Sequence, residues 1–333
     1  MGSNCSRQPP NVVLSVCDSE AFQRVSLKPS DFEFQRIIGT GNYSDVRLAR
    51  LHGQPVAVKV MNKAHLHREK QVKHVFAEKQ VLRLLHCQFV VEFLGTCQDD
   101  IYLYCVLEYV AGGEFFSLLT RKNQLPKAEA CFYIAEIVKA FCSLHAIGCL
   151  YRDLKPENIL IAANGHLKLA DLGFAKLLGR NERTYTMCGT PEYLAPELID
   201  ANGCGLELDW WQLGILLYEI LAGKTPFMDV SPYRLYEKIL MSSPDLTLSV
   251  FDESSRSLLK GLLMKLPELR LTQTQILEHP FFRQTNWENL LQATPPYVPQ
   301  LVDPFDASCF EQFAGEQSKE RLASCLEREF ADY

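Results

Sequence analysis

The run Arg152-Asp153-Leu154-Lys155-Pro156-Glu157-Asn158 constrains this chain more than any other segment. It holds an Asp and an Asn five positions apart on a loop braced by Leu154 and Pro156, so that Asp153 and Asn158 can face one centre. Such a loop can put Asp153 beside an acceptor hydroxyl and Asn158 beside a metal. Eighteen positions after Asp153 comes Asp171-Leu172-Gly173, whose carboxylate completes an oxygen-bearing set of the kind magnesium requires. A third string, Gly189-Thr190-Pro191-Glu192-Tyr193-Leu194-Ala195-Pro196-Glu197, follows.

The pattern around these strings changes along the chain. Phe32 to Gly39 and Ser44 to Leu51 read as strands around a tight turn, and Pro55 to Val60 as a third strand rich in β-branched residues. From Glu69 to Leu85 the apolar positions fall near helical spacing. Tyr102 to Tyr109 is strand again, broken by Gly112-Gly113. Beyond this hinge the spacing predicts long helices: Lys127 to His145, and Asp209 to Leu221 with Asp209 as its N-cap. A small sheet lobe (32–109) precedes a large helical lobe (110–283), an α+β arrangement. Residues 1–31 read as a leader lying over the domain, and the proline-broken, aromatic residues 284–333 as a tail that wraps the lobes.

Composition narrows the class. With 47% apolar and 22% charged residues the chain is an ordinary globular one, and its net charge of -6 argues against a nucleic-acid surface. Twelve cysteines without paired spacings read as reduced thiols of an intracellular, cytoplasmic protein. The longest apolar run, Trp210 to Ala222, is too short to span a bilayer and is interrupted by Gln212 and Glu219, so it reads as a buried helix.

Gly39-Thr40-Gly41-Asn42-Tyr43-Ser44-Asp45-Val46 sits between two strands, where small residues let backbone N–H groups approach phosphates. Lys59, thirteen positions after Val46, can bring a cation to the same phosphates. Its flexible stem needs a carboxylate; Glu78 is the natural candidate and Glu69 the rival.

Taken together these residues resemble the eukaryotic protein kinases, over roughly residues 32–283. The resemblance implies a bilobal fold, ATP and Mg2+ as cofactors, and transfer of the γ-phosphate to protein hydroxyls. It implies that Lys59 binds the α- and β-phosphates and pairs with Glu78. It also implies that Asp153 accepts the hydroxyl proton, Lys155 neutralises the transferred phosphate, and Asn158 and Asp171 hold magnesium. Gly39, Gly41, Val46, Ala57, Leu107, Glu108, Val110 and Glu114 would line the nucleotide site. Lys155 and Thr190 in their strings look like the serine/threonine branch. Tyr109 to Phe116, Tyr151 before Arg152, and the string from Cys188 to Glu197 are similar to the AGC group, and most to the cAMP-dependent kinases.

By the same resemblance Phe310 of Phe310-Glu311-Gln312-Phe313 lies on the adenine pocket, and Phe330-Ala331-Asp332-Tyr333 docks on the small lobe. Thr186 would be phosphorylated, with Arg152, Lys176 and His74 around it and Thr184 as a competing acceptor. Glu114, Glu157 and Glu219 would read arginines before the phospho-acceptor, and Met187, Pro191 and Leu194 an apolar residue after it. Protein substrates of that kind, and a cAMP-binding regulatory subunit, are the implied partners. Asn202 and Thr120 stand where the cAMP-dependent kinases carry basic residues that hold that subunit, which leaves control by cAMP open. Ser44 replaces the third glycine of the nucleotide loop and Leu172 the usual Phe, so a kinase-fold scaffold with weak catalysis stays as the alternative reading. Met1-Gly2-Ser3-Asn4-Cys5-Ser6 fits the pattern for myristoylation of Gly2, with Cys5 open to a second acyl chain and so to membrane contact.

Overall fold

Five strands of the first third form one antiparallel sheet in the computed structural model, which describes residues 27–313 and 320–333. β1 (Phe32–Thr40), β2 (Ser44–Leu51) and β3 (Gln54–Asn62) follow one another across it. Two helices come next, α1 (Lys63–Arg68) and α2 (Val72–Leu84), and then β4 (Phe93–Gln98) and β5 (Tyr102–Glu108). The order β1-β2-β3-β5-β4 places β5 beside β3.

The helix expected from Glu69 begins later. Lys70 adopts φ +57, which interrupts a right-handed helix, so Glu69 ends α1 and lies 3.6 Å from Arg68 while α2 starts at Val72. α1 is only six residues long and is capped by Asn62, whose side-chain oxygen accepts from the His65 N–H at 2.9 Å.

The large lobe opens with α3 (Phe115–Lys122) and α4 (Lys127–Ala146). Four short strands carry the chemistry-bearing loops: β6 (Cys149–Leu150), β7 (Ile159–Ile161), β8 (Leu167–Leu169) and β9 (Lys176–Leu177), paired β6 with β9 and β7 with β8. α5 (Pro196–Ile199), α6 (Glu207–Ala222), α7 (Pro232–Met241), α8 (Glu253–Leu262) and α9 (Gln273–Leu277) complete it. α4 and α6 form its core, where Phe141 meets Trp210 and Tyr151 at ring distances of 5.7 and 5.9 Å. Burial of this kind contributes about 25 cal/mol per Å² of apolar surface, and α6 is buried on nearly all sides. Among the described residues no helix is long and apolar enough to cross a membrane.

α6 corrects one expectation. The helix begins at Glu207, so Asp209 lies within its first turn instead of capping it, and its fully buried carboxylate is committed elsewhere. At the lobe junction, Gly112 passes so close to β7 that a Cβ there would sit 2.4 Å from the Ile161 carbonyl oxygen, and its N–H donates to that oxygen at 2.9 Å.

The last described segments touch both lobes. Pro299 packs against Gly112, the Tyr109 hydroxyl donates to the Asp306 carbonyl at 2.7 Å, and Arg36 donates to the carbonyls of Phe310 and Glu311 at 3.0 Å each. Phe330 is fully buried, and the Tyr333 ring meets Phe76 of α2 at 5.6 Å.

Candidate active site

Strand register builds the upper wall of the site. Gly39 pairs with Val46, Val46 with Lys59 and Lys59 with Cys105, while Leu48, Ala57 and Leu107 form the neighbouring row. Residues two apart share a face, so Val46, Ala57, Lys59 and Leu107 all look the same way. Val46, Ala57 and Leu107 pack in one apolar cluster with Ile38, Leu48, Tyr109 and Phe310. Phe310 and Tyr109 have ring centroids 5.9 Å apart. Residues scattered from Val46 to Phe310 thereby make one apolar surface beside Lys59. Gly41 closes the turn above it, its N–H donating to the Ser44 carbonyl at 2.7 Å, and Val110 is buried just after β5.

Lys59 donates to both carboxylate oxygens of Glu78, at 2.7 and 3.0 Å, and stands 3.3 Å from Asp171. Glu78 on α2, not Glu69, is therefore its partner. Burial acts to lower the Lys59 pKa, but the negative charges of Asp171 and Glu78 outweigh it and hold the amine protonated well above its ordinary range. The Lys59 charge is in turn the main reason the Asp171 carboxyl titrates below the usual carboxylate range.

Below this wall lies the loop from Arg152 to Asn158. The Asn158 amide nitrogen donates to the Asp153 carbonyl at 2.9 Å and to its Oδ2 at 2.7 Å, and Lys155 Nζ is 3.2 Å from the same carboxylate. Asp153 Oδ1 is buried without a hydrogen-bond partner in the described structure. A buried orphan acceptor points to a donor that arrives from outside, such as a hydroxyl. Because the Asn158 nitrogen is turned to Asp153, its oxygen is the atom left to ligate a cation. With Asp171, whose side chain is 49% exposed, this oxygen donor set suits magnesium and offers no nitrogen or sulfur ligand.

α6 holds this loop from beneath. Asp209 accepts from the N–H groups of Tyr151 and Arg152 at 3.0 Å each and lies 2.8 Å from His145 Nε2. Gln212 donates to the Arg152 carbonyl at 2.9 Å and accepts from Leu154 N–H at 3.2 Å. Gly189 leans on the same loop: its φ is +101, and a Cβ would come 2.9 Å from the Arg152 carbonyl oxygen. The supporting roles of Asp209 and Gln212 were not read from sequence. Their only signal there was a pair of polar residues three apart at the start of a largely apolar run.

The acidic residues expected to read arginines form one acidic field, the Glu157 charge acting on both Glu114 and Glu219. Glu219 is half-buried and accepts from the Tyr193 hydroxyl. Burial first, then the negative charges of Glu157 and Glu192, raises its pKa. Burial likewise raises that of Glu114, with Glu157 and Glu311 adding to it. Glu192, which accepts from the Thr225 hydroxyl at 3.1 Å, belongs to this field and was passed over in the sequence although it lies within the third string. Leu194 is buried, with its carbonyl accepting from Trp211 Nε1 at 3.1 Å, whereas Met187 and Pro191 are exposed and Thr190 is half-buried.

Thr186 is exposed, and Thr184 is buried with its main chain bonded to Cys204 in both directions at 2.9 and 2.8 Å. Arg152 is buried; its Nε donates to the Phe174 carbonyl at 2.6 Å, and one terminal nitrogen is buried without a partner in the described structure. Lys176 lies 3.7 Å from Glu182, and His74 Nδ1 lies 2.7 Å from Gln71. Gly2 and Cys5 fall outside the described residues.

Residues 32–282 match the family described as protein kinase domain. The chain is 41% identical over 296 residues to the cAMP-dependent protein kinase catalytic subunit of Arthrobotrys oligospora, covering 86% of this chain and 57% of that one. It is 41% identical over 303 residues to that of Dictyostelium discoideum, covering 88% and 46%. It therefore spans about half the length of these two curated relatives. With the mouse cAMP-dependent protein kinase catalytic subunit PRKX the identity is 40% over 300 residues, covering 87% of this chain and 84% of the relative. The bilobal architecture, the Lys59–Glu78 pair and the Asp153–Asn158 loop agree with these matches: the chain belongs to the protein kinase family, as an AGC-type relative of the catalytic subunits of cAMP-dependent protein kinase.

Proposed function

We propose that this protein is a serine/threonine protein kinase that transfers the γ-phosphate of ATP to hydroxyls of protein substrates carrying arginines before the acceptor. The observation that carries this reading is that the cluster of Lys59, Glu78 and Asp171 adjoins that of Asp153, Lys155 and Asn158, the N–H of Ala170 beside Asp171 donating to the Asn158 carbonyl at 2.8 Å. Lys59, held by Glu78, presents a fixed cation to the nucleotide phosphates. The apolar surface of Val46, Ala57, Leu107 and Phe310 receives the adenine ring, beside the backbone of Glu108 and Val110, with Gly39 and Gly41 above the phosphates. Mg2+, when held by Asn158 and Asp171, supplies charge neutralisation for the phosphates. Asp153 takes the acceptor proton at its unpartnered Oδ1, and Lys155 offsets the charge that builds on the transferred group.

In this reading Glu114, Glu157 and Glu219 bind substrate arginines; Met187, Pro191 and Leu194 contact the residue after the acceptor, and Thr190 lies beside it. The chain divides into a leader (1–31), a kinase domain (32–283) and a tail (284–333), with Gly2 and Cys5 acylated for membrane contact. Asn202 and Thr120 are both exposed and uncharged. This favours a second reading of its control, as an AGC kinase not governed by a cAMP-binding regulatory subunit.

The test is phosphate incorporation from γ-labelled ATP into a library of Ser/Thr peptides, with and without Mg2+. The proposal expects Mg2+-dependent labelling concentrated on peptides with arginine before the acceptor. Nucleotide binding without turnover on any peptide would favour the kinase-fold scaffold.

A further inference from the structure

Glu108 and Lys168 form an ion pair that joins the two lobes, and the chemistry above leaves both side chains unused. Leu107 faces the apolar pocket with Ala57 and Phe310, so the next side chain on β5, that of Glu108, leaves on the opposite face. There its Oε1 accepts both from Lys168 Nζ and from the Glu92 N–H, the latter at 2.7 Å. Glu108 belongs to the last strand before the connection between the lobes. Lys168 belongs to β8 of the large lobe, three residues before Asp171.

The surrounding main chain makes this pair a cross-brace. Glu108 N–H donates to the Glu92 carbonyl at 3.0 Å. The same segment is stitched to β8, with Val91 N–H donating to the Leu169 carbonyl at 2.9 Å and Leu169 N–H to the Phe89 carbonyl at 2.8 Å. The Glu108 carboxylate thus sits where the inter-lobe connection, the segment before β4 and the strand leading to Asp171 meet. The Lys168 and Glu108 side chains are only 17% and 21% exposed, so solvent ions screen the pair less than a surface pair. Segment 109–113, which follows β5, joins the two lobes, so Glu108 stands at the small-lobe end of that connection and Lys168 on the large lobe across from it.

We propose that the Lys168–Glu108 pair is a clamp that sets how far the lobes open and thereby limits the rate at which nucleotide leaves the cleft. This rests on the nucleotide reading above. Lys168 and Glu108 act here as positioning residues: neither charge touches the reacting atoms, but both fix the strand that leads to Asp171 relative to the adenine-binding connection. Opening is the gating step of product release, and a charge-assisted bond that stretches on opening slows it.

The experiment is stopped-flow release of a fluorescent ADP analogue from the full chain, with melting temperatures measured alongside. Lys168→Met should speed release by about five- to tenfold, and Glu108→Gln by a similar factor. The double variant should match either single one, because the two charges act as a unit. Lys168→Arg, which keeps the charge, should stay within about twofold of the wild type. A pair that merely stabilises the fold would lower the melting temperature of Lys168→Met while leaving release unchanged, and that result overturns the clamp. So would release from Lys168→Arg as fast as from Lys168→Met. A wild-type chain that binds no ADP analogue would overturn the nucleotide reading itself, and the clamp with it.

Discussion

Asp209 holds Arg152 in a left-handed backbone turn: Arg152 has φ +74, and its N–H donates to the Asp209 carboxylate at 3.0 Å. A non-glycine residue in this region costs on the order of 1–3 kcal/mol, so the conformation persists only where its surroundings impose it. Asp209→Ala would leave the buried N–H groups of Tyr151 and Arg152 unpaired, each worth about 1–3 kcal/mol. The loop would relax and Asp153 would move from its position. The expected outcome is a lower melting temperature and turnover reduced about 10²-fold, with ADP affinity nearly kept because Lys59 and Glu78 lie elsewhere. Equal losses in turnover and ADP affinity would show that Asp209 supports the whole cleft instead.

Phosphate on Thr186 would add roughly -2 charge, and the buried Arg152 nitrogen that has no partner among the described residues is a donor suited to it. Lys176 and His74 would have to leave Glu182 and Gln71 to join. Mass spectrometry of the active protein is expected to find phosphate on Thr186 and none on Thr184, whose buried hydroxyl and Cys204 bonds keep it from an incoming enzyme. Active protein unmodified at Thr186 would contradict this account of activation.

In the proposed role, Glu219 would bind arginine only as the carboxylate. Burial raises its pKa, so it takes up its proton at a higher pH than an ordinary glutamate, and the arginine site is lost as pH falls through that raised value. KM for a peptide with arginine two before the acceptor should therefore rise on acidification sooner than KM for a peptide lacking it. Glu219→Lys should likewise cost far more activity on the first peptide. Parallel pH profiles and equal losses would leave Glu219 as a structural partner of Tyr193.

Acylation of the amino terminus has its own test. One myristoyl chain gives an association constant on the order of 10⁴ M⁻¹, so stable membrane residence needs a second chain on Cys5. Cells fed labelled myristate should label the wild type but not Gly2→Ala, and Cys5→Ser should lower membrane association while keeping the Gly2 label. An unlabelled wild type would end the proposal.

Much of the site could be read before the fold because its parts are local. Asp153, Lys155 and Asn158 share one loop, Lys59 sits on a strand marked by its β-branched residues, and Glu78 on a helix marked by apolar spacing. What escaped reading depends on distant partners or weak local signals. Asp209 before an apolar run looks like a helix cap, yet its carboxylate is used 57 residues away on Arg152. β4 contains Gly95 and a register shift, which blunt strand propensity, and α1 is too short for a helical period to show. Phe310 meets Val46, Ala57 and Leu107 across most of the chain, a contact that only the family resemblance suggested.

The central claim is that Asp153 accepts the proton of the phospho-acceptor. The direct test is turnover of purified Asp153→Asn on an arginine-containing peptide, with ADP binding measured on the same sample. Asn keeps the shape and can still meet Asn158, but it cannot take up a proton. The account predicts near-normal ADP affinity and turnover lowered by about 10²-fold or more, the usual contribution of a positioned base. Turnover like that of the wild type, with nucleotide bound, would contradict it.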